Sequence, residues 1–260
     1  RDGALPTRNS KLITEIFQAV GFDIAPGGGI VQGAAMILNG LPLATPAITA
    51  QTLSSRNDLW HIRKGLYATV AGARAEGTTA LLEDIAVPVA QLASTCEKLI
   101  SLFEKFNYHD SVIFGHAKDG NIHFMLNEDF REVSSQNRYR DFTEEMVDLV
   151  LGFDGTLKAE HGTGRVMAPF VRKQFGDDLY SVMVAIKHAF DPHRILNPDV
   201  IITENASIHL ENYKISPTVE REIDRCVECG FCEQGCPSKA LTLTPRQRIT
   251  ARRAAESARQ

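Results

Sequence analysis

Val112-Ile113-Phe114-Gly115-His116-Ala117-Lys118-Asp119-Gly120-Asn121-Ile122-His123-Phe124-Met125-Leu126 reads as two strands joined by a tight turn. Val112 to Phe114 is a short apolar run, and Asn121 to Leu126 alternates with the period of a pleated strand. Lys118-Asp119-Gly120 between them is turn chemistry. Ile122, Phe124 and Leu126 share one face, and Asn121, His123 and Met125 the other. Such a hairpin brings His116, at the end of the first strand, close to His123. Further on, Glu160-His161-Gly162-x-Gly164 follows a short extended run, Thr156 to Ala159. Two imidazoles and a carboxylate, His116, His123 and Glu160, make a ligand set for one divalent metal. His161 then stands beside it, unbound and able to move a proton. A lone histidine in a hairpin is more often a structural group with satisfied hydrogen bonds than a ligand. Three such residues plus a proton carrier, all at glycine-flanked turns, favour a site.

Outward from the hairpin, Glu83 to Val87 is a short strand ending at Pro88. Pro88 starts a helix to about Phe106, with Val89, Leu92, Cys96, Leu99, Ile100 and Phe103 on its apolar stripe. Cys96 on that stripe reads as core packing. Asn137 to Leu151 is a second amphipathic helix, with Phe142, Met146, Leu149 and Val150 inward. Gly176 to Phe190 is a third, with Leu179, Val182, Met183, Ile186 and Phe190 inward, and Asp191-Pro192 ends it. The order strand, helix, two strands, helix, strand predicts an α+β fold: an antiparallel sheet with helices on one face. Trp60 to Tyr67 is also helical. Its Arg63 is either a surface ion pair or a fork for a substrate carboxylate. Ile195 to Ile202 is apolar and extended, and Thr203 to Thr218 is polar with little periodicity.

The N-terminal part is less readable. Lys11 to Val20 has helical spacing. Gly27-Gly28-Gly29 is a loop rather than a dinucleotide fingerprint, because Gly33 falls one position too late.

Gly115-His116-x-x-Asp119-Gly120-Asn121-x-His123 and Glu160-His161-Gly162-x-Gly164 resemble the two signatures of the C-terminal domain of FAD-linked oxidases. D-lactate dehydrogenases, D-2-hydroxyglutarate dehydrogenases and the glycolate oxidase flavoprotein subunit belong to that family. Asp191-Pro192-x-x-Ile195-Leu196-Asn197-Pro198 resembles its closing motif, and Trp60-x-x-Arg63 and Glu83-Asp84-Ile85-Ala86-Val87-Pro88 resemble pieces upstream. The resemblance covers residues 58–202 and leaves 1–57 unassigned; 203–218 is then a linker and 219–260 a second domain. It implies that the metal (zinc, manganese or iron) sits on His116, His123 and Glu160 and that His161 is the general base. It further implies that Arg63, Tyr67 and Asn121 meet substrate and that Gly162, Gly164 and Asn197 meet FAD, which an upstream domain mostly binds. Two positions depart from D-2-hydroxyglutarate dehydrogenases, which carry a distal-carboxylate Lys and an Asn where this chain has Leu82 and Met125. D-lactate or another short 2-hydroxy acid therefore stays open beside D-2-hydroxyglutarate.

Four of the five cysteines crowd into Cys226-x-x-Cys229-x-x-Cys232-x-x-x-Cys236-Pro237. This is the run of bacterial ferredoxins, whose fourth Cys serves a second cluster. A structural zinc site separates its cysteine pairs by a longer arm, and a thioredoxin-like pair needs only two. The tail thus predicts a small, mostly helical ferredoxin-like 4Fe-4S segment in a reducing compartment, with Cys226, Cys229 and Cys232 on one cluster and Cys236 on another. No second run completes both clusters, and the chain starts on Arg1. Both points predict a piece of a longer protein, inactive alone, similar to bacterial enzymes that fuse FAD-binding and Fe–S domains.

At 260 residues, 43% hydrophobic and 23% charged, the composition is that of a globular protein. A net charge of −4 gives no nucleic-acid footprint. The arginines near the end, Arg246, Arg248, Arg252, Arg253 and Arg259, read as a solvated helix face. No run approaches the roughly 20 apolar residues of a membrane span. The expected location is cytoplasmic or peripheral at the inner membrane, and the expected electron acceptor is a quinone or redox protein. The expected activity is oxidation of a D-2-hydroxy acid through FAD and Fe–S clusters. The competing readings are an electron-transfer subunit without substrate chemistry and a metal-dependent hydrolase.

Overall fold

The computed structural model describes residues 39–40, 50 and 52–259. The helix expected over 11–20 and the glycine loop at 27–29 lie outside the described residues.

Helix α1 (Leu53–Gly72) starts on Thr52, whose hydroxyl accepts the Ser55 N–H while the Ser55 hydroxyl accepts the Thr52 N–H. Strand β1 (Thr79–Ala86), helix α2 (Leu92–Lys105), strands β2 (Val112–His116) and β3 (Asn121–Glu128), and helix α3 (Val133–Gly152) follow. The three strands form one antiparallel sheet in the order β1-β3-β2. Register sets Asp84 opposite His123, Phe114 opposite His123 and His116 opposite Asn121. The turn between β2 and β3 closes on Gly120 in the left-handed region at φ 66°.

Ile85, Ile113, Ile122, Phe124 and Leu126 project from one sheet face into the main core. There α2 contributes Leu99 and Phe103 and α3 contributes Phe142, Met146, Val147 and Val150. The Phe142 ring meets Phe103, Phe124 and Tyr108 at centroid distances of 5.9, 6.1 and 5.2 Å. Val89 leaves the expected α2 stripe because Pro88 is followed by a 3-10 turn, Val89–Gln91, and Val89 is exposed. Cys96 packs partly buried against this core.

The opposite face is not bare, which corrects the expectation of helices on one face only. Tyr67, Val70 and Ala71 of α1 pack there against Val112, Phe114 and Met125. Alternation within β3 told the two faces apart, but could not tell which was covered, because both are.

Helix α4 (Val171–Phe190) is broken at Gly176, with φ 78° and ψ 169°. Its stripe has the expected spacing but not the expected burial: Leu179, Val182, Ile186 and Phe190 are exposed. Periodicity shows that a helix has an apolar face, not what covers it. The stretch 195–202 forms turns rather than an extended run. Asp191 ties it down, accepting the N–H groups of Ile195 and Leu196 and the Lys187 ammonium.

Residues 203–218 are pinned to the domain rather than free of it. Ile208 and His209 are buried, His209 lies against Phe170, and the Tyr213 ring stacks on Phe130 at 4.0 Å. A polar average hid these three anchors. The tail carries helices α5 (Arg221–Asp224), α6 (Phe231–Gln234) and α7 (Pro245–Ser257), the last capped by Thr244 with Gln247. Arg253 is buried rather than solvated, donating to the carbonyls of Ile223 and Cys226.

Candidate functional site: a histidine–carboxylate cluster at the edge of the sheet

Asp84, His116, Asn121 and His123 all fall on the α1 face of the sheet, because each lies an even number of positions from its neighbours in register. Residues 156–161 run beside β1. The Ala86 and Thr156 backbones exchange hydrogen bonds of 3.0 and 2.7 Å. Glu160 and His161 then turn over the hairpin.

His123 Nε2 lies 2.7 Å from Glu160 Oε1, and His116 Nε2 lies 3.3 Å from the same oxygen. The three ligand atoms of His116, His123 and Glu160 all lie within 4.8 Å of one another. His123 is nearly buried, whereas Glu160 is half exposed and His116 is partly exposed, so solvent reaches the cluster past these two. Burial pushes the His123 imidazole below its usual range; Asp84 and Glu160 offset this only in part, and His161 adds to it. A neutral imidazole is the form a metal takes. His123 also meets a carboxylate at each ring nitrogen, Asp84 Oδ1 at 3.4 Å from Nδ1 and Glu160 at Nε2. A neutral imidazole carries one proton and cannot donate both ways, whereas a cation on the Nε2 side satisfies both contacts. The donor set therefore fits a divalent metal.

Asp84, His123 and His161 form a second close triad. It suits a metal less well. Asp84 Oδ2 already accepts three backbone N–H groups and Oδ1 accepts the Asn121 amide. His161 stacks on His123, ring centroids 4.8 Å apart and planes 11° apart, and is exposed. Arg63 Nη2 donates to His116 Nε2 at 3.2 Å and its guanidinium lies over Trp60, so Arg63 stands at the mouth of the cluster.

The family model described as FAD linked oxidases, C-terminal domain, matches residues 31–201. The chain belongs to this family. The match reaches further towards the N-terminus than the motifs alone, taking in part of the segment they left unassigned. Among curated relatives, the glycolate oxidase subunit GlcD of Bacillus subtilis (strain 168) is 27% identical over 160 residues, 62% of this chain and 34% of the relative. A mitochondrial D-lactate dehydrogenase [cytochrome] of Arabidopsis thaliana is 32% identical over 157 residues, 59% of this chain and 27% of the relative. A D-2-hydroxyglutarate dehydrogenase of Xanthomonas citri pv. viticola is 30% identical over 156 residues, 58% of this chain and 32% of the relative. The chain thus spans about a third of the length of the curated relatives it matches.

Within this FAD-linked oxidase domain, Gly162 and Gly164 adopt φ of 74° and 58°, which favours glycine at both. The Gly164 carbonyl accepts the Ile201 N–H at 3.0 Å, so the turn carrying Asn197 is tied to the glycine turn. Gly162, Gly164 and Asn197 thus lie on two turns joined by that hydrogen bond. Two of the residues expected to meet substrate are packed against protein. Tyr67 packs into the α1-face cluster with Val227, and the charges acting on its hydroxyl are Arg74, Cys229 and Glu228. Asn121 is buried, its amide nitrogen committed to Asp84 and the Ile85 carbonyl.

The cysteine segment lies beyond the family match and docks on α1. Arg74 donates to the carbonyls of Asp224 and Cys226, and Val227 enters the α1-face cluster. Cys226, Cys229, Cys232 and Cys236 are all free thiols. Glu228 and Gly230 are left-handed, at φ 59° and 80°, and the Glu228 N–H points at Cys226 Sγ, 3.4 Å away. A tight loop of four free thiols, Cys229 and Cys232 exposed and Cys226 and Cys236 half-buried, with a backbone N–H aimed at Cys226, fits an iron–sulfur cluster. None of the described helices is long and apolar enough to cross a membrane.

Proposed function

We propose that this chain is the substrate- and metal-binding part of an FAD-linked dehydrogenase of a small D-2-hydroxy acid, with electrons leaving through 4Fe-4S clusters on its cysteine segment. The convergence of His116 Nε2 and His123 Nε2 on one oxygen of Glu160 carries the reading. When bound, the metal supplies Lewis-acid charge at the substrate oxygens, the flavin accepts the hydride, and the cluster passes electrons on singly. His161, exposed and stacked beside the ligand set, takes the hydroxyl proton as general base. Arg63 turns its fork from His116 to the substrate carboxylate. Gly162, Gly164 and Asn197 offer the flavin a surface without side-chain obstruction at Gly162. The electron acceptor is a quinone or a redox protein.

Glycolate, D-lactate and D-2-hydroxyglutarate, named in the relatives, are all 2-hydroxy acids. Leu82 and Met125 pair directly across β1 and β3 on the site face. Neither offers a charge to a second carboxylate, and Met125 is buried under α1, so D-lactate or another short 2-hydroxy acid is open beside D-2-hydroxyglutarate.

Elemental analysis of the anaerobically purified chain tests the reading against His116→Ala/His123→Ala. One divalent metal per chain, lost in the double variant, is the expected result. Metal that persists in the variant and scales only with iron and sulfide would leave an electron-transfer subunit without substrate chemistry.

A further inference from the structure

Asp84 is fully buried in the middle of β1. No Lys or Arg among the described residues pairs with it. A buried carboxylate without a cation is costly unless hydrogen bonds meet its charge. Here Oδ2 accepts the backbone N–H groups of Ala159, Glu160 and His161 at 3.0, 2.6 and 2.7 Å. Oδ1 accepts the Asn121 amide at 2.7 Å and faces His123 Nδ1 at 3.4 Å. Burial pushes the Asp84 carboxyl up, but the His161 and Glu160 N–H groups and the Asn121 amide outweigh it, and the carboxyl stays below its usual range.

Every one of these partners belongs to the cluster or holds it. Glu160 and His161 sit on a turn, where side chains need outside support to keep their geometry. Their own N–H groups converge on one oxygen of Asp84. The other oxygen lies 3.4 Å from His123 Nδ1, a charge contact without a hydrogen bond, while Nε2 faces Glu160. Only an ionised carboxylate, an acceptor with no donor of its own, can serve all of these donors. We propose that Asp84 is the positioning residue of the site: it anchors the Glu160–His161 turn through Oδ2 and, through Oδ1, holds Asn121 and sets its charge beside His123. This rests on the metal reading above for its consequence, but not for its geometry. Outer partners of metal-bound histidines characteristically change affinity by about 10–100-fold.

Two measurements on the 260-residue chain test it. The first is amide hydrogen exchange at Ala159, Glu160 and His161 in chelator-treated wild type and in Asp84→Ala. The second is Zn²⁺ affinity of wild type, Asp84→Asn, His116→Ala/His123→Ala, and Glu128→Gln, a buried change far from the cluster. The positioning role expects slow exchange at all three amides in wild type and release in Asp84→Ala. It also expects about 10–100-fold weaker Zn²⁺ binding in Asp84→Asn, with Glu128→Gln binding as wild type despite lower stability. Unprotected amides in wild type overturn the proposal, and that result needs no variant to fold. Equal Zn²⁺ affinity in wild type and Asp84→Asn overturns it as well. Protected amides in a wild type that binds no Zn²⁺ would sink the metal reading and leave the anchoring role standing.

Discussion

A β-carbon on Gly115 would lie 2.2 Å from the carbonyl oxygen of Asn121, so β2 and β3 meet there with no room for a side chain. The obstacle is backbone, which cannot swing aside. Gly115→Ala is expected to force the hairpin apart beside His116 and to cost about 1–3 kcal/mol, the usual range for overpacking. Gly65, inside α1, has nothing within 4 Å of its missing β-carbon. Gly65→Ala is expected to gain roughly 0.5–1 kcal/mol through helix propensity. Urea denaturation of both variants checks the opposite signs, and a destabilised Gly65→Ala would contradict the α1 assignment.

The hairpin was legible because its signals are local. Two strand patterns flank a turn that needs a left-handed glycine, and His116 and His123 lie within one such unit. Asp84 was not singled out, although a charged pair, Glu83-Asp84, inside an apolar strand was a signal: a charge there must be exposed or employed. The anchors of 203–218 and the burial of Arg253 were hidden for another reason. Each depends on groups far away in the chain. The carbonyls of Ile223 and Cys226 gather around Arg253 only once the tail has folded. An Arg-Ala pattern on a helix carries no trace of that.

Glu128 has a fully buried side chain and accepts hydrogen bonds from Tyr108 and Arg138. Removing the acceptor strands a buried hydroxyl and a guanidinium. Glu128→Ala is expected to cost about 2–4 kcal/mol, below the upper end for a broken buried pair because Arg138 keeps a wet side. Chemical denaturation measures the loss. A cost under about 0.5 kcal/mol would match a surface change and contradict the burial.

The cysteines should separate by reactivity. Burial against α2's core face, with Glu97 adding to it, pushes the Cys96 thiol up to about 11. Hydrogen bonds from Ser238 hold the Cys236 thiol below its usual range, with Arg248 adding to them. The thiolate is the nucleophile. In the metal- and iron-free chain at neutral pH, alkylation followed by mass spectrometry is expected to label Cys236 early and Cys96 last. Labelling of Cys96 at the rate of the tail cysteines would mean that α2 opens from the core.

His209 is buried against Phe170 with no hydrogen-bond partner at either ring nitrogen. Burial lowers its proton affinity below the ordinary value of 6.5. The unfolded chain therefore binds the proton more readily than the folded one, and stability rises with pH wherever that difference is populated. This contribution is complete above the unfolded value of about 6.5 and is lost as pH falls below it. His209→Phe keeps a flat ring beside Phe170 and removes two unsatisfied nitrogens. It is expected to match or exceed wild-type stability at pH 7 and to lose less between pH 7 and pH 5. Denaturation midpoints at the two pH values decide it: equal acid losses in wild type and variant would place the acid sensitivity at other groups.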